Sequence, residues 1–276
     1  MVRKRLTQVF PALIPVSRFE KNLVFNSKLF VSKLKNKYCD EILDEFLKYN
    51  VYLDKSELVN ENSGFDIKYQ INKIDNLKIA SKNINRILIK PNEFFSFWNL
   101  VGNVNINRGY KEGLCSINGK IIPVIGGGLC QLSNLLFWVF LHTPLSVITR
   151  HGHGSQEFEY PDANIPFGTD AAVSEGLQDL VMKNETDSTF QIVISFDEKY
   201  MYCQILSDKD IKFKYEVESK NEKYFKANNV IYHCNQIYQK IIDKNTNKLI
   251  SEKLMYNNKS IIKYKLNDDI KVIEEE

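Results

Sequence analysis

The sequence predicts an α+β chain. Three observations carry that expectation: helical apolar spacing over residues 18–50 and 72–87, a strongly apolar stretch over residues 129–142, and alternating strand patterns from Thr189 onward. They divide the chain into a helical N-terminal segment (1–61), a central mixed α/β domain (62–206) with a buried helix after a Gly-Gly-Gly-x-Cys turn, and a β-rich C-terminal extension (207–276).

The first helical pattern places Leu29, Leu34, Ile42, Leu43, Phe46 and Leu47 among lysines and acids, with no glycine or proline in residues 18–50. Asn60 to Gly64 is a turn cluster. After it Ile74, Leu77, Ala80, Ile84 and Ile87 recur every three or four residues, an amphipathic helix over 72–87. Ile87-Leu88-Ile89 is a β-branched run stopped by Pro91-Asn92, and Phe94, Phe95, Phe97 and Trp98 open a strand-rich core. Aromatics at this density belong to a core more often than to a ligand groove. Gly119 joins two short strands, Ser116–Asn118 and Ile121–Ile125. Leu132, Leu135, Leu136, Val139 and Phe140 cover most of the circumference of the next helix, so it is buried. Strands follow at 190–196, 200–206, 211–217, 230–242 and 261–266, with turns at Asp243-Lys244-Asn245 and Asn257-Asn258.

The 276 residues have ordinary globular proportions, 43% hydrophobic and 26% charged, and allow a sizeable core. A formal charge of +3 is too weak to imply a nucleic-acid partner. Cys39, Cys115, Cys130, Cys203 and Cys234 are odd in number and irregularly spaced, unlike a disulfide framework or a metal knuckle, which points to a reducing compartment. Arg3-Lys4-Arg5 before Leu6–Val16 superficially resembles an export signal, but Pro11 and Pro15 break the apolar run and no small-x-small site follows. The expectation is a cytoplasmic protein or one peripheral at a membrane through its basic N-terminus, with export left open and the oligomeric state unread.

Three glycines, Gly126, Gly127 and Gly128, before a helix allow left-handed backbone angles and bring N–H groups close to a ligand. The helix start favours an anion there, so Cys130 is expected to ionise more readily than a free thiol. Its thiolate is a nucleophile, and neighbouring N–H groups are candidates for an oxyanion site. The plainer alternative is a small buried residue after glycines that permit tight packing. A base is needed, and of His142, His151, His153 and His233 two lie in the loop-like Arg150-His151-Gly152-His153-Gly154, which can fold back over the helix start. The H-x-H spacing also permits a metal site with Cys130 and Asp170 or Glu157, but these residues form no compact ligand set, so no metal is assigned and no cofactor expected. The sequence does not match a phosphate loop, because Leu129-Cys130 stands where Lys-Ser/Thr would follow the glycines.

Phe95-Ser96-Phe97, Gly109-Tyr110, the run Gly126–Ser133, Arg150–His153 and Gly168-x-Asp170-Ala171-x-Val173 together resemble the VanW family, over about residues 62–206. The N-terminal Arg3–Pro11 looks like that of the family's free-standing members. The resemblance implies a link to glycopeptide resistance and the cell wall. Secreted members are tied to L,D-transpeptidation of peptidoglycan, in which a cysteine forms a thioester with a stem peptide. It puts Cys130 at the nucleophile position, prefers His153 over His151 as the base, and gives Asp170 the task of orienting the imidazole. Gly126, Gly127, Gly128, Leu129, Gln131, Ser133 and Arg150 are then the expected substrate-binding residues, with peptidoglycan or its peptide precursor as partner. The chain departs from the family at Gly154 (usually serine), Ala172 (usually threonine) and Thr149 (often glutamate).

Overall fold

The computed structural model describes residues 14–60, 64–117, 120–157, 165–267 and 269–274. The basic stretch Arg3–Arg5, the first residues of the apolar run after it, most of the Asn60–Gly64 turn and the Gly119 turn lie outside them.

Helix α1 spans Ile14–Lys35 and ends there, not near residue 50. Residues 36–48 run irregularly, and β1 (Tyr49–Glu57) follows, half-burying roughly alternate side chains. The helical reading failed because Ile42 and Phe46, spaced as on a helix, stay exposed. Strand pairing decides this segment instead: β1 lies antiparallel to β10 (Tyr200–Ser207), and Ile42 bridges Ile87. With β9 (Phe190–Phe196) and β2 (Leu88–Ile89) these strands form a sheet in the order β1-β10-β9-β2.

Helix α2 (Lys68–Ser81) starts earlier than the periodicity suggests and stops before Ile84, which is buried from the turn that follows. Phe94–Ser96 is strand β3, but Phe97–Val101 forms a short helix, α3, because the Ser96 hydroxyl accepts the Asn99 N–H and caps it. Phe95, Phe97 and Trp98 are core. The hairpin β4 (Glu112–Ile117) and β5 (Lys120–Ile125) leads into the glycines and then α4, Cys130–Phe140. Eight of the eleven residues of α4 are buried, including Leu132, Leu136, Phe137, Val139 and Phe140 with no exposed surface. At about 2 kcal/mol for each large apolar side chain removed from water, α4 is the centre of the core. After it β6 (Ser146–Thr149) and β8 (Val181–Lys183) join β3 in a second sheet, ordered β3-β8-β6.

The C-terminal residues form long antiparallel strands, β11 (Phe213–Ala227), β12 (Val230–Asp243) and β13 (Leu249–Ile262). Asn257-Asn258, expected as a turn, lies inside β13: Asn257 pairs with Gln236 and Asn258 with Asn235, and Asn258 is buried against Gly168. Of the expected strand at 261–266, only Ile261 and Ile262 are strand, as the end of β13. This sheet takes β14 (Val272–Glu274) beside β11 and β7 (Ser155–Gln156) beside β13. Gln239 in β12 also donates to the carbonyls of Leu141 and Thr143. The C-terminal sheet is therefore seated against the loop that follows α4.

Candidate functional site

The glycine turn is fitted into its surroundings at van der Waals range. Gly126 and Gly128 have φ of 74° and 93°, which side-chain-bearing residues rarely adopt. A Cβ on Gly127 would stand 2.0 Å from the Gly113 carbonyl oxygen in β4, and one on Gly128 2.3 Å from Cγ of Lys73. Asn76, fully buried in α2, ties the turn down: its side-chain amide donates to the carbonyls of Lys111 and Gly127, both at 3.0 Å, and its oxygen accepts the Lys111 N–H. The amides of Gly126 and Gly127 donate to Lys111 and Val124 carbonyls. Those two N–H groups are committed to the turn itself and are not available to hold an oxyanion.

Cys130 is the first residue of α4, and its thiol donates to the Val173 carbonyl at 3.6 Å. It also hydrogen-bonds the ring of His153. Burial pushes the thiol upward, but the hydrogen bond and charge of His153 outweigh it and hold the thiol below its ordinary value. Burial likewise opposes a charge on His153, yet hydrogen bonds to Asp170 and Cys130 raise it to about 10. Asp170, buried, is held below the usual carboxylate range against burial by His153 and Arg150. The three groups thus shift one another toward their charged forms, the thiol downward, the imidazole upward and the carboxyl downward.

Asp170 receives the His153 backbone N–H at 2.7 Å and the ring Nδ1 on the same oxygen, Oδ2. Its other oxygen takes Arg150 Nη2 at 2.9 Å. Arg150 also donates from Nε to the Asp170 carbonyl at 2.7 Å and from Nη2 to the Gly168 carbonyl at 2.6 Å. Its guanidinium lies 4.4 Å from the centre of the Tyr256 ring and 5.5 Å from that of Phe137. Arg150, expected to bind substrate, is thus engaged in bracing Asp170. His151 contributes its carbonyl to the Ala172 N–H, and the ring that meets Cys130 is that of His153.

The remaining expected binding residues are tied into the protein. The Ser133 hydroxyl, fully buried, donates to the Ala171 carbonyl at 2.6 Å, and Gln131 donates to the Glu57 carbonyl at 2.7 Å and the Ser56 hydroxyl at 2.9 Å. Leu129 is buried, and its carbonyl accepts the Leu132 and Ser133 N–H groups. Glu157, a metal-ligand candidate, instead pairs with Lys263 and Ser155. Among the described residues no cluster of histidine, cysteine and acids is arranged to hold a metal ion. Two other cysteines differ from Cys130: burial pushes Cys39 up to about 12 and raises Cys203 as well.

Sequence reasoning missed Asn76, Asn134 and Tyr256. Asn134 accepts the Ala171 N–H at 2.9 Å, and the Tyr256 hydroxyl donates to the Gly168 carbonyl at 3.0 Å. Asn76 carried a weak signal, a polar residue beside Leu77 on the apolar face of α2. Tyr256 carried none, lying 88 residues from the carbonyl it meets.

Residues 72–206 match the family described as VanW like protein. The chain is 39% identical over 274 residues, 99% of each chain, to a protein of Enterococcus faecalis (strain ATCC 700802 / V583) described as vancomycin B-type resistance protein VanW. It is 34% identical over 110 residues to the uncharacterized protein YoaR of Bacillus subtilis (strain 168), covering 40% of this chain and 35% of that one. No solved structure matches the chain.

Proposed function

This chain belongs to the VanW family, and on that premise we propose that it serves in vancomycin resistance as a cysteine acyl transferase acting on peptidoglycan stem peptides or their precursors. The observation that carries the reading is the continuous line from Cys130 through His153 to Asp170, with the thiol lowered and the imidazole raised against burial. Structural cysteines in apolar surroundings, such as Cys39, shift the other way.

The Cys130 sulfur attacks an amide carbonyl of the stem peptide and forms a C–S bond. With Nδ1 of His153 committed to Asp170, the other ring nitrogen gives its proton to the departing amine as the C–N bond breaks. A thioester results. An incoming amine then loses a proton to the neutral imidazole, attacks the thioester carbonyl and returns Cys130 to the thiolate. The developing oxyanion is held by N–H groups at the end of the glycine turn; one such donor typically lowers the barrier by about 3 kcal/mol. Arg150 keeps Asp170 charged and in place throughout.

Incubation with muropeptides followed by intact-protein mass spectrometry tests the reading. A thioester adduct on the wild type that is lost in Cys130→Ala supports it; identical products and no adduct from both overturn it. A second reading, a non-catalytic accessory protein for a wall precursor, draws on the internal engagement of Arg150, Ser133 and Gln131. It requires folded Cys130→Ala to retain resistance in cells.

A further inference from the structure

Charge is distributed unevenly along the chain. Residues 1–35 hold eight of the 37 lysines and arginines and one of the 34 acids, a local +7 in a chain of net +3. The rest of the protein is therefore acidic overall, and most of the basic excess sits on or just before α1.

Among its described side chains, helix α1 meets the body of the protein along one side. Phe25 packs on the core, and the Ser32 hydroxyl hydrogen-bonds that of Tyr38 at 2.8 Å while accepting Asn36. Leu23, Val24, Phe30, Val31 and Leu34 are each at least half exposed. At 100° per residue these five fall within an arc of about 120° on the side turned away from Phe25 and Ser32. Lys21, Lys28 and Lys35 flank one edge of that arc and Lys33 the other, all exposed. No helix among the described residues is long and apolar enough to cross a membrane.

We propose that the outer face of α1 lies in the interface of an anionic phospholipid membrane, with the five apolar side chains entering the acyl boundary and the lysines meeting phosphate headgroups. A second copy of the chain fits this face less well, because a two-fold pairing would set Lys21, Lys28 and Lys35 against the same lysines. An anionic bilayer complements the apolar stripe and the flanking charge together. The inference stands apart from the acyl-transfer reading, and either can fail without the other.

The test is co-sedimentation of the full chain with vesicles of phosphatidylcholine alone or with about a third phosphatidylglycerol, where the anionic lipid should raise partitioning about tenfold and added salt should reverse the gain. Phe30→Glu with Leu34→Glu should reduce binding about tenfold or more. Lys28→Glu with Lys35→Glu, which leaves every apolar contact in place, should remove the preference for anionic lipid. In a Leu34→Trp variant, emission should shift to the blue on adding the anionic vesicles. Unchanged circular dichroism and retained Cys130 alkylation check the folding of each variant. Binding that ignores both double substitutions, no binding with no blue shift, or a dimer dissociated by Phe30→Glu/Leu34→Glu in a protein that ignores vesicles would each overturn the proposal.

Discussion

Asp170 holds His153 twice through one oxygen: Oδ2 accepts the backbone N–H of His153 at 2.7 Å and bonds the Nδ1 of its ring. The backbone contact sets where the loop crosses α4, and the ring contact sets which nitrogen faces the thiol. Loop position and imidazole orientation thus depend on the same carboxylate.

His153→Ala should slow alkylation of Cys130. Burial alone raises this thiol, and the hydrogen bond and charge of His153 bring it below its ordinary value. Without the ring, burial and the Asp170 charge raise the thiol against the Val173 contact alone, so thiolate at neutral pH becomes scarce. Iodoacetamide labelling near pH 7, read by peptide mass spectrometry, should fall about tenfold or more. An unchanged rate would sever Cys130 from His153.

The pH profile of turnover should have two limbs. On the acid side activity falls as the pH drops through the lowered Cys130 value and the thiolate is protonated. On the alkaline side it falls near 10, where His153 gives up the proton needed by the leaving amine. Asp170→Asn removes a group that raises His153, so the alkaline limb should move to lower pH. The same substitution leaves Arg150 buried without its carboxylate and should cost about 3 kcal/mol in urea unfolding. A limb that does not move would exclude Asp170 as the group that keeps the imidazole charged.

Two glycines near the site should respond oppositely to alanine. In Gly127→Ala the new Cβ meets backbone of β4, which cannot rotate away, and the loss should be about 3 kcal/mol. Gly154 has nothing within 4 Å of an added Cβ, and Gly154→Ala should stay within about 0.5 kcal/mol. Equilibrium unfolding of the two variants side by side makes the comparison.

Tyr256 links the C-terminal sheet to the site, although it lies beyond the residues that match the family. Tyr256→Phe keeps the ring over Arg150 and loses one hydrogen bond, a cost of about 1 kcal/mol. Tyr256→Ala removes the ring as well, should cost about 1 kcal/mol more, and should slow Cys130 labelling by loosening the Arg150 support of Asp170. Equal labelling in all three proteins would reduce the sheet to a scaffold.

The parts legible in the sequence are those whose cause is local. Glycine supplies left-handed angles wherever it stands, so the turn before Cys130 and the helix after it follow from Gly126–Phe140 alone. Alternating apolar residues likewise mark β9 and β10 within one residue of their ends. Residues 36–48 misled because their helix-like spacing is compatible with an irregular run whose Tyr38 and Ile42 bridge Phe94 and Ile87, and Asn257-Asn258 because a pair of asparagines is compatible with strand once another strand supplies the hydrogen bonds.

Within the site, the sequence by itself determined the nucleophile candidate and a short list of partners, Cys130 with His151, His153 and Asp170. Only the tertiary structure decided among them. Which imidazole meets the thiol depends on where Asp170 sits, and Asp170 is held by Arg150, which rests on Tyr256, while Asn134 takes the next amide, that of Ala171. These contacts join residues 20 to about 100 positions apart, and a hydrogen bond across such a distance leaves no periodic trace in the chain that makes it.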